Sequence, residues 1–285
     1  VSKKVTTTDL AVRVPKQDDP YDGAILDGGR LRPLPQNEQE WLVEALSAAG
    51  NTEMTLIHLM GLMTGARLQS ICTMKVRHVL AFDEEQAGAV RLPIGPGTGI
   101  DTKGDKQMTL HIAAPLYRAL NIYANSERAR RRRLKAGSDD PNQNLFLSKR
   151  GAPYYASKME RRTFDPENKR RYDFDGGAVG TFIRTVIKPY IQETYGIRKF
   201  EFKFHDTRAT FGMNLTDAHL ARVEAGQTTL AEVREYVKTM MGHESAATTD
   251  LYLKFRHNIK FIRSVVEAHE IHLARLCGQA MEGLL

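Results

Sequence analysis

The chain has 285 residues, with 41 Lys and Arg against 34 Asp and Glu, a net charge of +7 and a pI near 9.3. At 41% hydrophobic and 26% charged it can bury a core, which excludes a disordered or collagen-like chain. Two cysteines, Cys72 and Cys277, exclude a disulfide scaffold and a cysteine-rich zinc site, and no apolar run nears the roughly 18 residues of a membrane span, so the chain reads as soluble and cytoplasmic.

Residues 1–34, with Pro15, Pro20, Pro33 and interspersed glycines, show no period and read as an N-terminal arm or interdomain linker. A first helix is predicted from Gln36, with Asn37 as N-cap, Glu40 three residues on, Trp41, Leu42, Ala45, Leu46 and Ala49 on one face, and Gly50 as the stop. A second runs from Met54 to Met63 into Thr64-Gly65-Ala66-Arg67, and Leu68, Ile71, Cys72 and Val76 imply a third. Val90, Leu92 and Ile94 alternate, as do Met108, Leu110 and Ile112, which predicts a small antiparallel sheet with turns at Pro96-Gly97 and Lys103-Gly104. Pro115 to Lys135 is helical in pattern and ends in an Arg run; 136–175 reads as loop with a short apolar piece at Leu145–Leu147. Further helices are expected at about 178–195, interrupted near Pro189, and at about 206–218, 228–240, 246–256 and 258–282. The fold class is mainly α with a small antiparallel β-sheet.

The positive charge is concentrated. Between Ser126 and Tyr172 stand 14 Lys and Arg against six Asp and Glu, a local surplus of +8, so the rest of the chain is close to neutral. That is the pattern of a protein meeting a polyanion on one face, and Arg130, Arg131, Arg132, Arg133, Lys135, Lys149 and Arg150 are the candidate contacts. A solvated helix face followed by a basic loop would show the same charges.

Gly95-Pro96-Gly97-Thr98-Gly99 lacks the Gly-Lys-Ser/Thr and the following helix of a phosphate loop and reads as a hairpin turn. Neither a metal-ligand spacing nor Gly-x-Ser-x-Gly occurs, so no cofactor or metal is expected. Four short polar signatures do stand out at the edges of apolar helices: Thr64-Gly65-Ala66-Arg67, Thr102-Lys103-Gly104, His205-Asp206-Thr207-Arg208, and Gly242-His243 followed nine residues later by Tyr252. Singly, each is what a surface residue, a helix start or a core tyrosine would show.

Together and in this order they resemble the catalytic domain of the tyrosine recombinase (phage integrase) family, over about Leu34 to Tyr252. The resemblance implies that Arg67, Lys103, His205, Arg208, His243 and Tyr252 are catalytic. It implies a site-specific recombinase that cuts and rejoins DNA through a 3′-phosphotyrosine intermediate without ATP or metal, most simply the integrase of a mobile element. Arg67, Arg208 and His243 would hold the non-bridging phosphate oxygens, Tyr252 would attack, and His205 would take its proton. Lys103 would protonate the departing 5′-hydroxyl, with Lys106 as the runner-up. Double-stranded DNA is the implied partner, with a homotetramer in the synaptic complex, and accessory DNA-bending factors fit the same scheme. A type IB topoisomerase or protelomerase shares this chemistry, and a DNA-binding regulator without strand cleavage is the alternative from another class.

On this reading residues 35–257 are the catalytic domain, with a basic insertion at about 126–175 and a C-terminal helix over 258–285 that either exchanges between protomers or covers its own domain. The core-binding domain usual in the family has no counterpart in residues 1–34, which read as the end of a truncated linker. Two departures stand out. Ser70 occupies the place where many family members carry an acid, and 217–229 reads as an extra stretch.

Overall fold

A computed structural model describes residues 24–81, 88–158, 174–257, 271–273 and 275. The arm before residue 24, the 159–173 part of the basic segment and most of the expected terminal helix therefore lie outside the described residues.

Helix α1 (Gln36–Ala48) buries Leu42, Ala45 and Leu46 along one stripe. Its N-cap is Pro35, not Asn37, which lies inside the first turn. Asn51 caps the next helix with its side chain, accepting the Met54 amide at the start of α2 (Thr52–Thr64). α2 is the central rod: Met54, Leu56, Ile57 and Met60 are all buried in the main core. After α3 (Leu68–Thr73) come the two expected antiparallel strands, with Val90 opposite Ile112, Leu92 opposite Leu110 and Ile94 opposite Met108. Counting from the N-terminus these are β3 (Ala89–Ile94) and β4 (Met108–Ala113). The glycine-rich segment between them is a turn closed by a Gly95–Ile100 bridge. A Cβ on Gly95, at φ 117°, would stand 2.5 Å from the Lys106 carbonyl oxygen, so only glycine fits.

An earlier hairpin, β1 (Ile25–Leu26) and β2 (Arg30–Leu31), occupies part of the segment that reads as linker. Its turn passes through Gly28 and Gly29 at φ 70° and 149°, and Ile25 and Leu31 are buried.

The single helix expected from Pro115 to Lys135 is two, α4 (Ala114–Ala124) and α5 (Glu127–Lys135). Ser126 separates them because its hydroxyl accepts the Ala129 amide and restarts the helix. α6 (Gly177–Phe182) runs through a π turn over Ile183–Ile187 into α7 (Lys188–Thr194). The wider turn just before Pro189 accommodates a ring that an α-helical ladder would reject. α8 (Asp206–Glu224) continues well past residue 218 and takes up much of the stretch that reads as extra. α9 (Leu230–Met241) opens on a capping box between Thr229 and Glu232 and ends on Gly242 in the left-handed region. Residues 246–257 are helical.

Ala24–Arg256 form one compact unit. Beside its main core lies a smaller one made by Ile25, Met213, Val233, Val237, Met241 and Tyr252, so the first hairpin and the last helix share an interior. Among the described residues no helix is long and apolar enough to cross a membrane.

Candidate active site

Three helix ends converge. α2 stops at Gly65, which is left-handed at φ 66° and so close to Phe211 that a Cβ would lie 2.5 Å from the ring. The turn places Arg67 at the start of α3, with its Nη2 3.8 Å from Asp27 Oδ1. α9 stops at Gly242, which delivers His243 into the same space. His205 sits at the N-terminus of α8, and Arg208 follows in its first turn.

Arg208 is almost wholly buried and all three guanidinium nitrogens are used. Nη1 donates to the Gly65 carbonyl at 2.8 Å, Nη2 to the Met241 carbonyl at 2.7 Å, and Nε to Asp27 Oδ2 at 2.8 Å. Those two carbonyls belong to the C-terminal ends of α2 and α9, where helices leave acceptors unsatisfied and favour a cation. The same side chain therefore ties two helix ends together and presents one edge to an anion.

Asp27 Oδ2 also lies 3.2 Å from His243 Nε2 and accepts the Tyr252 hydroxyl at 3.1 Å. His243 Nδ1 stands 3.0 Å from the Thr249 hydroxyl, which fixes the ring. Tyr252 is fully buried; its ring lies against His243 and against Gly212 of α8, where a Cβ would come within 2.5 Å of the phenol. Four of the predicted catalytic side chains thus surround one carboxylate. Burial by itself would raise the Asp27 pKa, but the His243 hydrogen bond and the Arg208 charge prevail and hold it well below the usual carboxylate range. Burial, then the Asp27 charge, push the Tyr252 phenol up. Burial, then the charges of Arg67 and Arg208, pull His205 below the ordinary histidine value, so its imidazole is neutral at pH 7.

The two lysines separate. Lys103 is exposed, in a 3-10 turn (Lys103–Asp105), and its Nζ is 3.4 Å from where a Cβ on Gly28 would stand, at the tip of the first hairpin. Lys106 donates to the Gly242 carbonyl at 2.7 Å and so braces the end of α9. Ser70 donates to the Asp101 carbonyl at 2.8 Å and ties α3 to the segment that leads into the Lys103 turn. A cleft of about 430 Å³ opens beside His243, lined by Arg91, Lys106, His111 and Lys238 among others.

The basic run behaves differently from its sequence pattern. Arg132 and Arg133 are only 6% exposed. Arg128 forks onto Glu53 at 2.8 and 2.7 Å, and Arg132 reaches the same fully buried carboxylate at 2.9 Å and the Leu147 carbonyl at 2.5 Å. Arg133 holds Asp139 at 2.5 Å and the Ala124 carbonyl at 2.8 Å. The expectation that Arg132 and Arg133 face a polyanion is corrected: on a helix, positions 129, 132 and 133 share one face, and here that face turns inward, with Arg128 at its exposed edge. Arg130 and Arg131 point outward, paired with Asp139 and Glu127, and Lys135, Lys149 and Arg150 are exposed. Glu53 lies in the first turn of α2, so the buried pairs sit roughly 18 Å from the Gly65 end, at 1.5 Å per residue.

Asp27 is the residue that sequence reasoning missed. A lone Asp before Gly-Gly in a proline-dotted segment reads as a turn residue; the nearest signal is Ile25 and Leu31 placed symmetrically about Gly28, a hairpin too short to register as periodicity.

No family model and no curated protein matches the chain. Among solved structures it is similar to the XerH site-specific recombinase bound to difH substrate in a pre-cleavage complex, at 16% identity and a TM-score of 0.49, over 78% of this chain and 49% of that one. It is similar to XerA recombinase at 22% identity and a TM-score of 0.45, over 81% of this chain and 65% of that one. It is also similar to the Tn1549 transposon integrase in complex with a circular intermediate DNA, at 17% identity and a TM-score of 0.45, over 77% and 60%. The chain therefore spans about half of the first and less than two thirds of the other two. Its own geometry is a mainly helical unit with two small antiparallel hairpins, in which two arginines, a histidine and a tyrosine enclose one anionic group.

Proposed function

We propose that this chain is a tyrosine site-specific recombinase, cutting and rejoining DNA strands through a covalent 3′-phosphotyrosine. The observation that carries this reading is the closure of Arg67, Arg208, His243 and Tyr252 around a single carboxylate oxygen pair. Those are donors suited to a phosphate, with a nucleophile among them.

In the proposed step the Tyr252 Oη attacks phosphorus, its proton passes to His205, and the bond from phosphorus to the 5′ oxygen breaks. That oxygen leaves as a hydroxyl with a proton from Lys103. Arg67, Arg208 and His243 meet the negative charge that builds on the non-bridging oxygens. The reverse step, with a 5′-hydroxyl from another strand as nucleophile, rejoins DNA and restores the tyrosine. Backbone phosphates beside the cut would run along the basic cleft by Arg91 and Lys238, and Arg130, Arg131, Lys135, Lys149 and Arg150 remain as outer contacts. Integration or excision of a mobile element, assembly as a tetramer, and a C-terminal segment over 258–285 belong to the same proposal, with the catalytic unit taking in the hairpin from Ala24 rather than starting at residue 35.

The test is a nicked suicide DNA carrying the target site. Wild type is expected to give an adduct that survives SDS, and Tyr252→Phe none, while its DNA affinity stays within a few-fold; an adduct with the Phe variant, or none with wild type on any paired-site DNA, rejects the reading.

Acid dependence follows from His205. Its neutral form accepts the proton, and its pKa is held below the ordinary 6.5, so the cleavage rate should stay level as pH falls to that value and drop only below it. A single-turnover pH profile checks this, and His205→Asn should flatten the acid limb while lowering the plateau by about 10²-fold or more.

A further inference from the structure

We propose that the β1–β2 hairpin is a displaceable plug: Asp27 occupies the phosphate position of the site, and DNA must evict it before Tyr252 can act. This rests on the recombinase reading for the identity of the incoming anion.

Asp27 is 4% exposed, takes the hydrogen bonds of Arg208, His243 and Tyr252, and lies within ion-pair range of Arg67. Oδ2 is met by Arg208 Nε at 2.8 Å, His243 Nε2 at 3.2 Å and the Tyr252 hydroxyl at 3.1 Å, and Oδ1 faces Arg67 Nη2 at 3.8 Å. A phosphodiester cannot share this space, since two anions side by side in a buried site repel strongly and Arg208 Nε, His243 Nε2 and the Tyr252 hydroxyl are already engaged by Asp27. A carboxylate flanked by two arginines is also a poor acceptor for a phenolic proton, so a role as the base that activates Tyr252 does not fit. What fits is occupation. The tyrosine hydroxyl is tethered to Asp27 rather than free to attack.

The hairpin is built to let go. Each strand is two residues long, and Gly28 and Gly29 give the turn backbone freedom. Ile25 and Leu31 are buried at its base, and the Arg32 amide donates to Asp206 at 2.9 Å, so the anchors lie outside the tip. Leu26 in the first strand is half exposed. Every cation facing Asp27, from α3, α8 and the end of α9, would be offered the same charge by the phosphate, so eviction exchanges one anion for another. Lys103, against the tip at Gly28, would be released to the leaving group by the same movement.

Three experiments on the full chain decide it. First, orthovanadate binding by calorimetry, with no DNA present: Asp27→Asn and Asp27→Ala should each bind at least about tenfold tighter than wild type, a gain of about 1.4 kcal/mol. Equal or weaker binding overturns the plug. Second, hydrogen exchange of wild type with uncleaved duplex DNA: amides of Leu26 to Arg30 should exchange faster when DNA is bound, and unchanged or slower exchange overturns it. On the nicked substrate, Asp27→Asn should form adduct faster; slower adduct formation than wild type would show Asp27 positioning the catalytic groups instead. If wild type forms no adduct at all, the recombinase reading fails while the vanadate measurement still judges the plug.

Discussion

Arg208→Ala should abolish measurable strand cleavage and also weaken the fold, a double loss that no other single change at the site is expected to produce. Removing one preorganised donor to a developing oxyanion costs about 10²–10³-fold in rate, and Arg208 supplies charge as well as hydrogen bonds. It also leaves the Gly65 and Met241 carbonyls unpaired and Asp27 buried without its closest cation. Breaking a buried ion pair from one side destabilises by about 3–5 kcal/mol. Arg208→Lys should recover little, because an ammonium cannot reach three acceptors in fixed directions. Single-turnover cleavage and urea midpoints separate the two losses. The pH dependence carries a sign. Asp27 is depressed in the folded state, so the stability it contributes is present above its unfolded value of about 3.8 and is lost as pH falls below it. Without Arg208 that depression shrinks, and the variant should lose less stability on acidification than wild type does.

Glu53→Gln should destabilise by a similar amount, about 3–5 kcal/mol, yet leave cleavage per folded molecule unchanged. Glu53 is fully buried and holds Arg128, Arg132 and the Tyr123 hydroxyl, the last at 3.1 Å. Neutralising it leaves Arg132, only 6% exposed, with the Leu147 carbonyl and no counter-charge from Glu53. The site lies at the opposite end of α2, so its geometry should not change in molecules that fold. Equilibrium unfolding and adduct yield per folded protein check both halves. In the same frame Arg132→Ala should act on stability. Arg130→Ser with Arg131→Ser, on the outer face, should leave the unfolding midpoint almost unmoved, because exposed pairs contribute little; their effect belongs to the salt dependence of DNA binding.

These contrasts mark where one-dimensional reading succeeds. The β3 and β4 strands are visible in sequence because alternation marks which residues face the core, while the pairing of Leu92 with Leu110 is set by the turn between them. Thr64-Gly65 and Gly242-His243 are legible because a helix must end somewhere, and a left-handed glycine ends it in a known direction. The break at Ser126 was harder to see: a serine inside a helical pattern is a cap only if the chain turns there. α8 runs past its predicted end, through Leu220 and Val223, and Val223 packs against the smaller core.

The arginine run shows the converse error. Counting charge locates a basic segment but not the side of the helix on which each charge falls: Glu53 of a distant helix turns Arg132 inward, and Asp139 with the Ala124 carbonyl holds Arg133 there.

By itself the sequence determined the helical class, the small sheet and the identity of the residues at the helix ends, since periodicity and capping are local and leave a local record. Only the tertiary structure decided that Arg67, Arg208, His243 and Tyr252 close on one point, that the acid among them comes from Asp27, and that Arg132 and Arg133 face inward. Each of these depends on contacts between segments up to 225 residues apart, as Asp27 and Tyr252 are, and a side chain's partner at that separation is set by packing rather than by its neighbours in the chain.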